Sequence, residues 1–146
     1  MFKRVAVTGV LSGVNMGLWL FLVGALAARI VYGPQFAPED KFEPDQISAW
    51  YFFWTKIVMG VFFGLLFTGL YETFPLSRRV SGVWGGLKYA LFLWLIVALW
   101  GLSHKVTYET LQVRKQVFWL VYSLGGYVGY GLAFGFLCRR RARGGE

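Results

Sequence analysis

Four long stretches of this chain are apolar on almost every position, and short polar connectors separate them. They cover 5–31, 46–73, 80–103 and 116–138. Each is longer than the ~20 residues that carry a helix across a hydrocarbon core. No stretch keeps a polar stripe, so each is built to have apolar surroundings on most of its circumference. Barrel strands need only ~9–11 residues, which leaves the helix as the spanning element. The predicted fold is all-α: a polytopic membrane protein, a four-transmembrane-helix bundle forming a single integral membrane domain over 1–146. The first run resembles a signal peptide in outline, with Lys3-Arg4 ahead of it and Ala25-Leu26-Ala27 as a small-residue site. Its apolar length exceeds the ~7–15 residues of such a segment, so it reads as an uncleaved first helix.

The connectors are punctuated by helix breakers and charge. Pro34, Pro38 and Pro44 interrupt 32–45, which also carries Glu39, Asp40, Lys41, Glu43 and Asp45. Asp45 is placed to cap the second helix, its carboxylate accepting otherwise unpaired N–H groups. Pro75 ends that helix and Arg78-Arg79 marks a turn, while 104–115 is a mixed-charge connector.

The chain repeats itself. Ser12-Gly13-Val14-Asn15-Met16-Gly17-Leu18 returns as Ser81-Gly82-Val83-Trp84-Gly85-Gly86-Leu87, each copy following a basic pair. Phe53-Trp54 precedes Gly60 and Gly64 at the spacing by which Phe118-Trp119 precedes Gly125 and Gly129. Self-similarity of this kind sets architecture, here two tandem helical hairpins over 1–75 and 76–146. The first and third helices are then equivalent, as are the second and fourth, about a pseudo-two-fold axis along the membrane normal. Gly9, Gly13 and Gly17 lie on one face of the first helix, and Gly60 with Gly64, Gly82 with Gly86, and Gly125 with Gly129 repeat the spacing. Small residues in register let helix backbones approach closely, and these faces are expected to meet at the bundle centre.

Composition agrees with immersion: 57% of residues are hydrophobic and only 15% charged, against about half and a quarter in soluble domains. The net charge of +8 does not indicate nucleic acid, because the basic residues sit at the ends of apolar runs. Lys3, Arg4, Arg78, Arg79, Arg139, Arg140, Arg141 and Arg143 fall on one side and Lys41, Lys105, Arg114 and Lys115 on the other. The excess predicts cytoplasmic N- and C-termini, with anionic lipid headgroups as partners of the basic tail.

Candidate chemistry is sparse. Asn15, Lys56, Glu72 and Lys88 are polar groups within spans, where polar side chains are functional candidates by default. Asn15 is expected to bond to another helix. Lys56 and Lys88 lie close enough to a span end for their stems to reach the interface, as does Arg29. Glu72 is placed to pair with Lys88 and set hairpin registry. His104 reads as a solvated loop histidine and Cys138 as a cysteine at the apolar edge. With one cysteine and one histidine there is no internal disulfide, no cysteine-based zinc site and no bis-histidine haem, and neither metal nor cofactor is expected. Nucleotide loops, a serine elbow and zinc-protease motifs are absent from the sequence.

The duplicated-hairpin plan resembles the small four-helix bacterial inner-membrane proteins of unknown function. That likeness covers the whole chain and implies a location without an activity. The expectation for function is a non-enzymatic accessory or scaffold subunit that acts through helix packing on other membrane subunits or on itself. The alternative is a small transporter or channel for an anionic solute, with Asn15, Lys56, Glu72 and Lys88 lining a path at the repeat interface.

Overall fold

In a computed structural model, the structure describes residues 2–32, 49–73, 82–108 and 113–143, and all of them are helical. The helices are α1 (Phe2–Tyr32), α2 (Ala49–Thr73), α3 (Gly82–Tyr108) and α4 (Val113–Arg143). Each contains a segment long and apolar enough to cross a membrane: Val5–Ala27, Phe53–Thr73, Gly82–Gly101 and Gln116–Cys138. The acidic connector and the Arg78-Arg79 turn lie outside the described residues.

The helices run past the apolar segments because helix propensity does not stop where hydrophobicity does. α1 begins ahead of Lys3-Arg4 and ends before Pro34, whose ring disfavours helix in the residue before it. α4 runs through Arg139, Arg140 and Arg141 to Arg143, since arginine and alanine are good helix formers in any solvent. His104, expected in a connector, falls on α3. At the other end of α3, Gly82 has φ 71°, a left-handed conformation that a side chain would strain.

Three antiparallel pairings organise the bundle. α1 packs on α2, α3 on α4, and α1 on α4, so α1 and α4 form the interior while α2 and α3 lie outside them. The first two pairings are made by glycine against glycine. A Cβ on Gly17 would stand 2.6 Å from the Lys56 carbonyl, and those on Gly13, Gly60 and Gly64 would meet backbone of the partner helix just as closely. In the second pairing, a Cβ on Gly86 would lie 2.6 Å from the Gly135 Cα, and one on Gly135 2.6 Å from the Gly82 carbonyl. No side chain fits between these backbones.

The α1–α4 pairing works differently. Trp19, Leu20 and Val23 of α1 fill the spaces left by Gly129, Gly126 and Gly125 of α4. This corrects two expectations from the sequence. Gly125 and Gly129, matched to Gly60 and Gly64 by the repeat, receive side chains of α1, and the close approach to α3 is made by Gly131 and Gly135. The glycine faces of α1 and α2 meet each other within one pairing, and the centre is filled by large side chains. Met16, Leu20, Phe67, Leu93, Tyr127, Tyr130 and Phe134 are all buried there.

Aromatic rings tie α2 to α3 and α4. Phe67 lies 5.4 Å from Tyr127 and 5.5 Å from Tyr130, and Tyr71 lies 4.8 Å from Phe134 and 5.3 Å from Tyr89. All four pairs are edge-to-face or tilted, as the ring quadrupole favours.

Candidate functional site

The sequence reading nominates polar groups inside the apolar segments, and the structure scatters them. Asn15 donates from Nδ2 to the Gly129 carbonyl at 2.6 Å, joining α1 to α4. Gly129 leaves that carbonyl reachable because it has no side chain in the way. Glu72 and Lys88 are exposed, and no ion pair joins them among the described residues. Arg29 is exposed as well and Cys138 is half-buried. Lys56 is half-buried, with Nζ 5.1 Å from the centre of the Tyr122 ring.

The polar groups that do come together are neutral. Among the described residues, the buried polar side chains are those of Thr8, Ser12, Thr68, Gln116 and Ser123, none of them charged. Thr8 and Ser12 stand one turn apart on α1, and Gln116, Ser123, Tyr127 and Tyr130 recur at helical period along the inner face of α4. Thr68 and Tyr130 share a hydrogen bond of 3.2 Å between hydroxyls. Tyr89 donates to the Phe67 carbonyl at 2.8 Å, joining α3 to α2. Trp94 Nε1 donates to Ser123 Oγ at 3.0 Å, and that hydroxyl donates in turn to the Leu120 carbonyl at 3.1 Å. Ser12 Oγ and Gln116 Oε1 are buried without a hydrogen-bond partner among the described residues.

Sequence reasoning missed these hydroxyls because threonine, serine and tyrosine are unremarkable in an apolar helix. A signal existed: Thr8 and Ser12 each precede a glycine of the Gly9, Gly13, Gly17 ridge and therefore flank the packed face. Chemically the arrangement ties helices to one another. It sets no nucleophile beside a base, and no group of three or more His, Cys, Asp or Glu that could hold a metal occurs among the described residues.

The bond from Asn15 carries a direct expectation. Asn15→Ala lowers stability by about 1 kcal/mol, the scale of interhelical hydrogen bonds in membrane proteins. Detergent-titrated unfolding in mixed micelles measures it, and an unchanged midpoint would mean the bond contributes nothing to packing.

The fold and this polar core define an all-helical bundle whose four helices are each long and apolar enough to span a membrane. No family model, curated protein or solved structure matches the chain.

Proposed function

We propose that this chain is an integral protein of the bacterial inner membrane, with both termini cytoplasmic, serving as a non-enzymatic accessory or scaffold subunit. Two tandem hairpins, α1 with α2 and α3 with α4, join through α1 and α4; because α2 and α3 do not pack in the same way, the equivalence of the first and third helices expected from the repeat does not hold. The observation that carries the reading is the buried interior: large apolar side chains and neutral interhelical hydrogen bonds, with no buried charge among the described residues. A path for an anionic solute needs Asn15, Lys56, Glu72 and Lys88 to converge, yet Asn15 is engaged with Gly129 while Glu72 and Lys88 are exposed. α2 and α3 keep most of their apolar circumference outside the bundle, which offers faces to lipid or to helices of other subunits.

Purification from native membranes in mild detergent, with mass spectrometry of what co-elutes, tests the subunit reading. A defined set of co-eluting membrane proteins is expected. Migration alone, together with solute flux in liposomes that Lys56→Ala abolishes, would replace it with transport. Orientation is tested by alkaline phosphatase fusions. Fusion after Pro38 is expected to be active and fusion after Ala142 inactive; the opposite pattern reverses the topology.

A further inference from the structure

The charged residues inside the four apolar segments are Lys56, Glu72 and Lys88. Lys56 is half-buried near the Phe53 end of α2, over the Tyr122 ring. Glu72 and Lys88 belong to the opposite edge. Both are exposed, their charges are opposite, and no ion pair joins them among the described residues. Lys88 lies about 9 Å inside the Gly82 end of its segment. An exposed charge inside an apolar layer is costly unless another charge or polar group meets it. The other basic residues of this edge, Lys3, Arg4, Arg78, Arg79 and the arginines of the α4 tail, fall outside the apolar segments, where water and headgroups satisfy them.

The geometry explains why the two charges do not meet within one chain. The Tyr71 and Tyr89 rings meet edge-to-face at 5.3 Å between α2 and α3, which run antiparallel. Glu72 is one residue on along α2, and Lys88 is one residue back along α3. On antiparallel helices these are the same ~1.5 Å step toward the same membrane face, so the two charges share a depth. The step also turns each side chain by about 100° in one sense, seen from that face. Rings that point at each other start from opposite directions, so the charges finish on opposite sides of the α2–α3 contact. Equal depth and opposite facing keep the pair from forming inside one copy and allow it between two.

We propose that copies of this chain associate side by side in the bilayer, head to tail, with Lys88 of one copy paired to Glu72 of the next. Copies inserted in one orientation are related by rotation about the membrane normal, which brings together only groups at equal depth. Glu72 and Lys88 meet that condition. A two-fold contact would set each face against itself, like charge against like, so the contact is heterologous and closes into a ring or extends as a row. Trp84, Leu91 and Leu95 are exposed one or two turns from Lys88 on the same face of α3, with Trp84 at 78%. These apolar side chains would cover the pair and keep water from screening it. The proposal rests on the membrane reading above and names the scaffold's partner as a second copy of itself.

The test uses full chains labelled at the C-terminus with donor or acceptor dye and co-reconstituted in phosphatidylcholine liposomes, with energy transfer followed as lipid dilutes the protein. Transfer above the level of random encounter is expected, and its absence overturns the proposal. Glu72→Gln and Lys88→Met should each weaken association about tenfold, and the swap Glu72→Lys/Lys88→Glu should restore it. Lys3→Gln, at an exposed lysine beyond the apolar segment, should associate as the unmodified chain does. Single variants that associate normally, a swap that restores nothing, or an equal loss in Lys3→Gln overturns the pair. A bifunctional thiol reagent reads the geometry in a Cys138→Ser background. Glu72→Cys copies mixed with Lys88→Cys copies should cross-link, and neither kind should do so alone. Cross-linking within one kind overturns the head-to-tail contact. Should the swap fail to fold, the cross-link decides by itself. A chain that does not enter liposomes overturns the membrane reading and this proposal with it, an outcome distinct from one that inserts and stays monomeric.

Discussion

Leucine in place of Gly60 is expected to separate α1 from α2, while leucine in place of Gly69, on the same helix, is expected to be silent. A Cβ on Gly60 would be driven into the Gly13 carbonyl and would lie 2.6 Å from the Gly17 backbone nitrogen. Both neighbours are backbone, so neither can rotate away as a side chain would. Overpacking a core costs about 1–3 kcal/mol when side chains can shift, and here the helices themselves must part. A Cβ on Gly69 meets nothing within 4 Å. The pair therefore holds residue type, helix and substitution constant and varies only what faces the new side chain. Detergent-titrated unfolding should show a loss of at least several kcal/mol for Gly60→Leu and under about 0.5 kcal/mol for Gly69→Leu. Equal midpoints would remove the backbone-to-backbone account of the α1–α2 pairing.

Truncating Tyr130 is the second large effect. The side chain is 0% exposed and has rings on two sides, Phe67 at 5.5 Å and Phe134 at 5.4 Å. Tyr130→Ala should cost about 3–5 kcal/mol, the range for aromatic-to-alanine changes in packed cores. Tyr130→Phe keeps the ring and removes only the partner of Thr68, which should cost about 1 kcal/mol. Thr68→Val removes the other half of the same bond with little change of shape. The double variant Thr68→Val/Tyr130→Phe should then lose less than the sum of the single losses, by about 0.6 kcal/mol. Strict additivity would show that the two hydroxyls are neighbours without a working bond.

These two expectations separate two kinds of interface in one bundle. Glycine pairing fixes how near two helices lie but supplies little buried side-chain area, whereas the aromatic contacts fill the volume that remains among α2, α3 and α4. In the membrane proposed above, both are needed because apolar lipid tails compete equally well for apolar side chains. Association of helices then depends on fit and on hydrogen bonds.

The number of helices and their capacity to span a membrane follow from the sequence by itself. Run length, hydrophobicity and the positions of Pro34 and Pro75 are properties of consecutive residues, and they act before any helix has a neighbour. The glycine ridge at Gly9, Gly13 and Gly17 was legible for the same reason, since helical period places these residues on one face. Which ridge meets which was not. Gly125 and Gly129 share the four-residue spacing of Gly131 and Gly135, and spacing does not say whether a glycine will face backbone or receive a side chain. Only the rotation and axial register of the packed helices decide that, and these depend on the bulk of Trp19, Leu20 and Val23 on another element. The same holds for the polar groups. Asn15 was identifiable as a donor from its position alone, but its acceptor is a backbone carbonyl on α4, far away along the chain. The hydroxyl pair of Thr68 and Tyr130 exists because tertiary packing buries both, and a buried hydroxyl needs a partner where an exposed one has water.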